Sequence, residues 1–108
     1  MSDVRGLTVI VAGADPARAH AAITLASAAA ALGGRTCLYL HDAAVKVLAD
    51  PALRELRIAA HELGVRTIAC QSGLAAAGID LRGVVPPAEA GGMVGLLATL
   101  GDDRLVFA

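Results

Sequence analysis

The run Leu7–Gly13, LTVIVAG, is apolar at successive positions and rich in β-branched residues until it breaks at glycine. A strand of that kind needs cover on both faces, which is the condition of a parallel strand inside an α/β sheet. Asp15 and Pro16 follow at once as an N-cap and a first-turn proline, and the alanine-rich segment 17–32 closes at Gly33-Gly34. Arg18, His20, Thr24 and Ser27 are its only polar side chains. Apolar surface therefore runs nearly all round this helix, which predicts that it is sandwiched between the sheet and a partner. A segment this short, interrupted by Arg18 and His20, falls short of a membrane span.

The same grammar repeats along the chain. Residues 35–41, RTCLYLH, read as a second strand, followed by a connection over 43–49 and a second cap-and-proline pair at Asp50-Pro51. In the helix expected over 51–63, Leu53, Leu56, Ala60 and Leu63 fall on one face, and Arg54, Glu55, Arg57, His61 and Glu62 turn largely away. A third strand over 65–70 hands over to a short helix, 71–77, stopped by Gly78. Pro86-Pro87 and Gly91-Gly92 make 79–92 mostly loop, with a brief edge strand expected near Val84-Val85. A last helix over 93–100 precedes a terminal strand over 104–107. This alternation predicts one α/β domain over 1–108: a three-layer α/β/α architecture with a mostly parallel sheet of four or five strands. The carboxyl ends of the strands then bring Ala14-Asp15, His41-Asp42 and Cys70-Gln71 to one edge, where open α/β sheets place their chemistry.

Composition narrows the function classes. The chain is 56% hydrophobic but only 2% aromatic, so its core is built of Ala, Val, Leu and Ile. A domain of 108 residues has limited interior for so much apolar surface, and the surplus predicts an exposed patch and a homo-oligomer. A net charge of −1 and the lack of a basic cluster argue against nucleic acid as a partner. The opening residues MSDVRG lack a basic stretch followed by an apolar one, which predicts no signal peptide, no membrane attachment and a cytoplasmic location. The two cysteines, Cys37 and Cys70, fit no CxxC or zinc spacing and are expected as free thiols, with no metal site. The loop AGADPARA after the first strand has neither nucleotide fingerprint, and no cofactor is called for.

Cys70 is the leading candidate for chemistry. It ends a strand just before a helix, where free backbone N–H groups lower a thiol pKa below its ordinary value. Cys37, in mid-strand, reads as packing. His41, ending the neighbouring strand, is a candidate to pair with Cys70 and stabilise the thiolate. The Ser72 hydroxyl and the N–H groups of Gln71 and Ser72 are candidates to hold an anion there, and Gly91 and Gly92 to do so before the last helix.

The chain resembles the DsrE/DsrF-like family, which includes TusD-type sulfur relay subunits and peroxiredoxin-like DsrE proteins. The resemblance runs from LTVIVAGAD at Leu7 through LYLHDAAVKVL and GVRTIACQSGLAAAGI to GGMVGLLATLGDDRLVF. It implies a DsrE/DsrF-like fold, with the sulfur-accepting cysteine at Cys70 and the glycine pair before the last helix at Gly91 and Gly92. It also implies persulfide relay between sulfur donor and acceptor proteins, and assembly as a trimer or hexamer. Ser72 to Ala75 lack the methionine and acidic side chain common after that cysteine, so no proton transfer is expected from that turn. The competing classes are a non-catalytic oligomeric scaffold with an inert Cys70, and a thiol redox sensor.

Overall fold

A computed structural model describes residues 4–108. Strands β1 (Leu7–Ala12), β2 (Thr36–His41), β3 (Arg66–Cys70), β4 (Glu89–Gly91) and β5 (Arg104–Phe107) form one sheet in the order β4-β3-β2-β1-β5. Every pairing is parallel. Three successive connections step in one direction, and the last returns across the sheet to lay β5 beside β1. Because such crossovers are right-handed, α1 (Pro16–Ala31) and α2 (Arg54–Glu62) cover one face, and α4 (Met93–Ala98) crosses the other. Helix α3 (Gln71–Ala77) follows directly on β3 at the carboxyl edge.

Side chains alternate between these faces. Leu7, Val9 and Val11 of β1, with Leu38 and Leu40 of β2, point toward α1, which meets them with Ala19, Ala22, Ile23, Ala26 and Ala29. Alanine at four of those five positions lets the helix lie close to the sheet, so a core almost free of aromatic rings still packs densely. Aspartate starts both crossovers: the Asp15 carboxylate accepts from the Ala17 N–H at 2.9 Å and that of Asp50 from the Ala52 N–H at 2.9 Å. Caps of this kind stabilise a helix start by about 1 kcal/mol.

The departures from the sequence reading have physical causes. The connection over 43–49 is a 3₁₀ helix, Asp42–Ala49, that buries Ala44, Val45, Val47 and Leu48, and Pro51–Leu53 make one 3₁₀ turn before α2 begins. The edge strand lies at Glu89–Gly91 and not at Val84-Val85, because Pro86 and Pro87 lack the N–H that a ladder requires. Arg57, expected on the solvent side, is only 7% exposed. Its guanidinium donates to the carbonyl oxygens of Pro86 at 3.0 Å and Leu48 at 3.5 Å, so it ties the 79–92 loop to the 3₁₀ helix. Leu63, assigned to the inner face, is exposed, since α2 ends one residue before it. Helix α4 stops at Ala98, where Thr99 begins the turn toward β5.

Candidate functional site: the thiol at the carboxyl edge

Cys70 is the last residue of β3, and α3 starts at the next position with no intervening loop. The register pairs Leu40 with Ala69 and Cys70 with Gly91. Alternation therefore sets Cys70 on the same sheet face as Tyr39, His41, Ile68 and Gly91. The residue is only 6% exposed, and burial by itself pushes a thiol up. The groups around Sγ reverse that. Ser72 Oγ lies 3.2 Å from Sγ and is the largest influence; its hydroxyl donates when the sulfur is ionised. The backbone at Gly73 and Asp42 and the Tyr39 side chain act in the same direction, each with a smaller influence than Ser72. Together they bring the Cys70 pKa down to about 6, against an ordinary 9.0. At neutral pH the group is mainly thiolate, the form that attacks sulfur and carbon electrophiles.

Tyr39 takes the complementary shift. Burial, and then its hydrogen bond to Cys70, raise the phenol to about 12, so it stays a donor throughout the range in which the thiol ionises. Asp42 contributes through its backbone. Its φ is +51°, a left-handed conformation that is uncommon for any residue but glycine and is tolerated best by Asn and Asp. Gly73 packs against that turn: a Cβ there would collide with the Asp42 carbonyl oxygen and come within 3.0 Å of its Cα and carbonyl carbon.

Of the residues singled out in the sequence, Cys70 and Ser72 are brought together. His41 follows Tyr39 on the same face, its ring centroid 6.1 Å from that of Tyr39, and its Nδ1 is buried without a hydrogen-bond partner. It is not among the groups that hold the thiol down. Gln71 is exposed on the first turn of α3 and is not among the donors either. Gly91 lies beside Cys70 in the ladder, where a Cβ would approach Ile68 Cγ2 to 2.7 Å, and Gly92 caps α4. Both glycines line a cleft of about 220 Å³ with Arg66, Ile68 and Glu89. Tyr39, Asp42 and Gly73 are the contributors that sequence reasoning missed. Two-residue alternation from His41 pointed to Tyr39 once β2 and β3 were known as neighbours, whereas the helix start after Cys70 pointed to the backbone of Gln71 and Ser72 and not to that of Gly73 or Asp42.

A cleft of about 410 Å³ is at the opposite end of the sheet, between the second face and α4. Cys37 lines it with Thr8, Arg35, Arg66, Leu96 and Asp103. Arg35 is held there by Asp103 at 2.7 Å, and Arg66 by Glu89 at 2.6 Å. Size does not select it as the reactive site: burial drives the Cys37 thiol up to about 11, so it remains protonated. Among the described residues no three His, Cys, Asp or Glu side chains gather as a metal ion requires. None of their helices is long and apolar enough to cross a membrane. No protein-family model matches the chain, and no curated protein matches it.

Proposed function

We propose that the protein is a sulfur carrier of the DsrE/DsrF-like kind, acting in the cytoplasm, that accepts sulfane sulfur on Cys70 and passes it to a partner thiol. The observation that carries this reading is a strand-end thiol with the Ser72 hydroxyl 3.2 Å from its sulfur, brought down to about 6 where burial alone would have kept it protonated. In the first step the Cys70 thiolate attacks the outer sulfur of a donor persulfide, R–S–SH. A new S–S bond forms to Cys70, the donor's S–S bond breaks, and R–S⁻ leaves with the bonding pair. The product is Cys70–S–SH. An acceptor thiolate then attacks the outer sulfur in the same way and returns Cys70 as thiolate. Both steps are thiol–disulfide exchange in form and need no net oxidant or reductant. The donors that hold the thiolate stabilise the same charge each time it is regenerated as the leaving group.

One resident cysteine is sufficient for this cycle, which fits the distance in chain and in function between Cys70 and Cys37. The donor and acceptor on this reading are proteins that present a thiol to the carboxyl edge. The same reading includes self-assembly as a trimer or hexamer. Val94, Leu97, Leu105 and Phe107 support it, because α4 and β5 leave them exposed, Val94 at 85% and Phe107 at 66%. Intact mass after incubation with inorganic polysulfide tests the carrier reading in wild type, Cys70→Ala and Cys37→Ala. A reducible gain of sulfur mass that disappears in Cys70→Ala alone is expected. No gain in wild type would leave a scaffold with an inert Cys70 as the better account.

A further inference from the structure

We infer that the cleft between the start of α2 and the 79–85 loop is a binding site for a small organic monoanion, a carboxylate on an apolar body, with Arg57 holding the charge and Arg54 beside it. The cleft has a volume of about 340 Å³, the size of a small-ligand site. It shares no residue with the thiol site and does not depend on the carrier reading. Arg57 lines this cleft and is only 7% exposed, yet among the described residues no carboxylate pairs with it. Its Nη2 and Nη1 donate to the neutral carbonyl oxygens of Pro86 and Leu48, and among the described residues nothing accepts from its Nε. A guanidinium has five N–H groups, so donors remain. Burial first, and the Arg54 charge second, both disfavour the ionised form. A buried cation in that position calls for an anion. Arg54, three residues earlier on the same helical face, is likewise without an ion pair among the described residues and adds to the same field.

The rest of the lining selects the anion. Leu48, Pro51, Ile79, Val84 and Val85 make the walls mostly apolar, which suits a hydrocarbon body and not a hydrated phosphate. Asp50 and Asp80 also line the cleft. The first caps the turn at Ala52, and the second is bound by Arg82 at 2.7 Å. Arg54, Arg57 and Arg82 against these two aspartates leave one positive charge, which a monoanion balances and a dianion exceeds. A planar guanidinium also matches the carboxylate group in shape.

The test is an amide-detected nuclear magnetic resonance titration of the full chain with benzoate, its neutral counterpart benzamide and inorganic phosphate, in wild type, Arg54→Gln and Arg57→Met. With benzoate, shifts within 48–57 and 79–85 should saturate at a Kd of about 1 mM. Benzamide keeps the shape without the charge and should bind roughly tenfold more weakly. Phosphate should also bind more weakly than benzoate. Arg57→Met should lose benzoate binding, and Arg54→Gln, a change at an exposed side chain, should weaken it roughly threefold. The inference is overturned if benzoate gives no saturable shift there, if benzamide binds as tightly or phosphate more tightly, or if Arg57→Met binds as wild type does. Arg57 is then only a brace between the loop and the 3₁₀ helix. Should Arg57→Met fail to fold, benzamide and Arg54→Gln decide, and unchanged benzoate affinity in Arg54→Gln overturns the inference.

Discussion

Cys37 and Cys70 sit on the same face of one sheet, on adjacent strands, and their thiols are shifted in opposite directions. Cys37, near the amino end of β2, is raised to about 11 because burial outweighs the attraction of Arg66. Cys70, at the carboxyl end of β3, exposes little surface and is lowered to about 6. Desolvation is the leading influence at Cys37 but not at Cys70, where the Ser72 hydroxyl outweighs it. The backbone nearby differs as well. Around Cys37 the main-chain N–H groups are committed to the ladder between β1, β2 and β3. At the carboxyl edge two chains leave the sheet and turn into helices, whose first N–H groups have no partner within their own helix. A cysteine there gains donors that a cysteine in mid-strand cannot reach.

The comparison is broken most readily by relative reactivity. At pH 7 the thiolate fractions differ by about four powers of ten, and the lower intrinsic nucleophilicity of the more acidic thiol offsets about half of that. Iodoacetamide should then modify Cys70 about 100-fold faster than Cys37. Peptide mapping after timed alkylation measures it, and equal rates would end the contrast. A smaller effect is expected of Ser72→Ala, which removes the largest of the influences on Cys70. Its midpoint should rise by about one pH unit and alkylation at pH 6 should slow roughly threefold to tenfold, with Cys37 unchanged.

Stability should show the same opposition in sign. Between about 6 and 9.0 the Cys70 thiol is ionised in the folded chain and protonated in the unfolded one, so the unfolded state binds more protons and stability rises with pH. Between 9.0 and about 11 Cys37 is protonated only in the folded chain, and its contribution falls as pH rises. Urea melts across these windows should lose the first slope in Cys70→Ala and the second in Cys37→Ala. The smallest effect is expected of Tyr39→Phe, the least of the five influences on Cys70. Its alkylation midpoint should rise by less than the midpoint of Ser72→Ala does.

Much of this architecture was legible because each signal was local. LTVIVAG, the caps Asp15 and Asp50 and the stop at Gly78 each act within a turn of chain, and β1, α1 and α3 lie where those residues place them. The carboxyl-edge position of Cys70 followed from parallel topology alone. Arg57 was misplaced because helical periodicity separates two faces but does not show that a loop 29 residues away will cover the polar one. The strand at Glu89–Gly91 was missed for a related reason: three residues with two glycine or alanine side chains carry no strand pattern, and β3 recruits them through backbone pairing. At the site, Ser72 was legible from its spacing to Cys70. Tyr39 required the order of the strands, and the close approach of Gly73 to the Asp42 carbonyl required coordinates.

The measurement that tests the central claim most directly is an ultraviolet thiolate titration of Cys70 in the Cys37→Ala variant, with the Cys70→Ala, Cys37→Ala double variant as the blank. The account predicts a single midpoint close to 6. A midpoint near the ordinary 9.0, in a chain shown to be folded, would contradict it and return Cys70 to the packing role that Cys37 has.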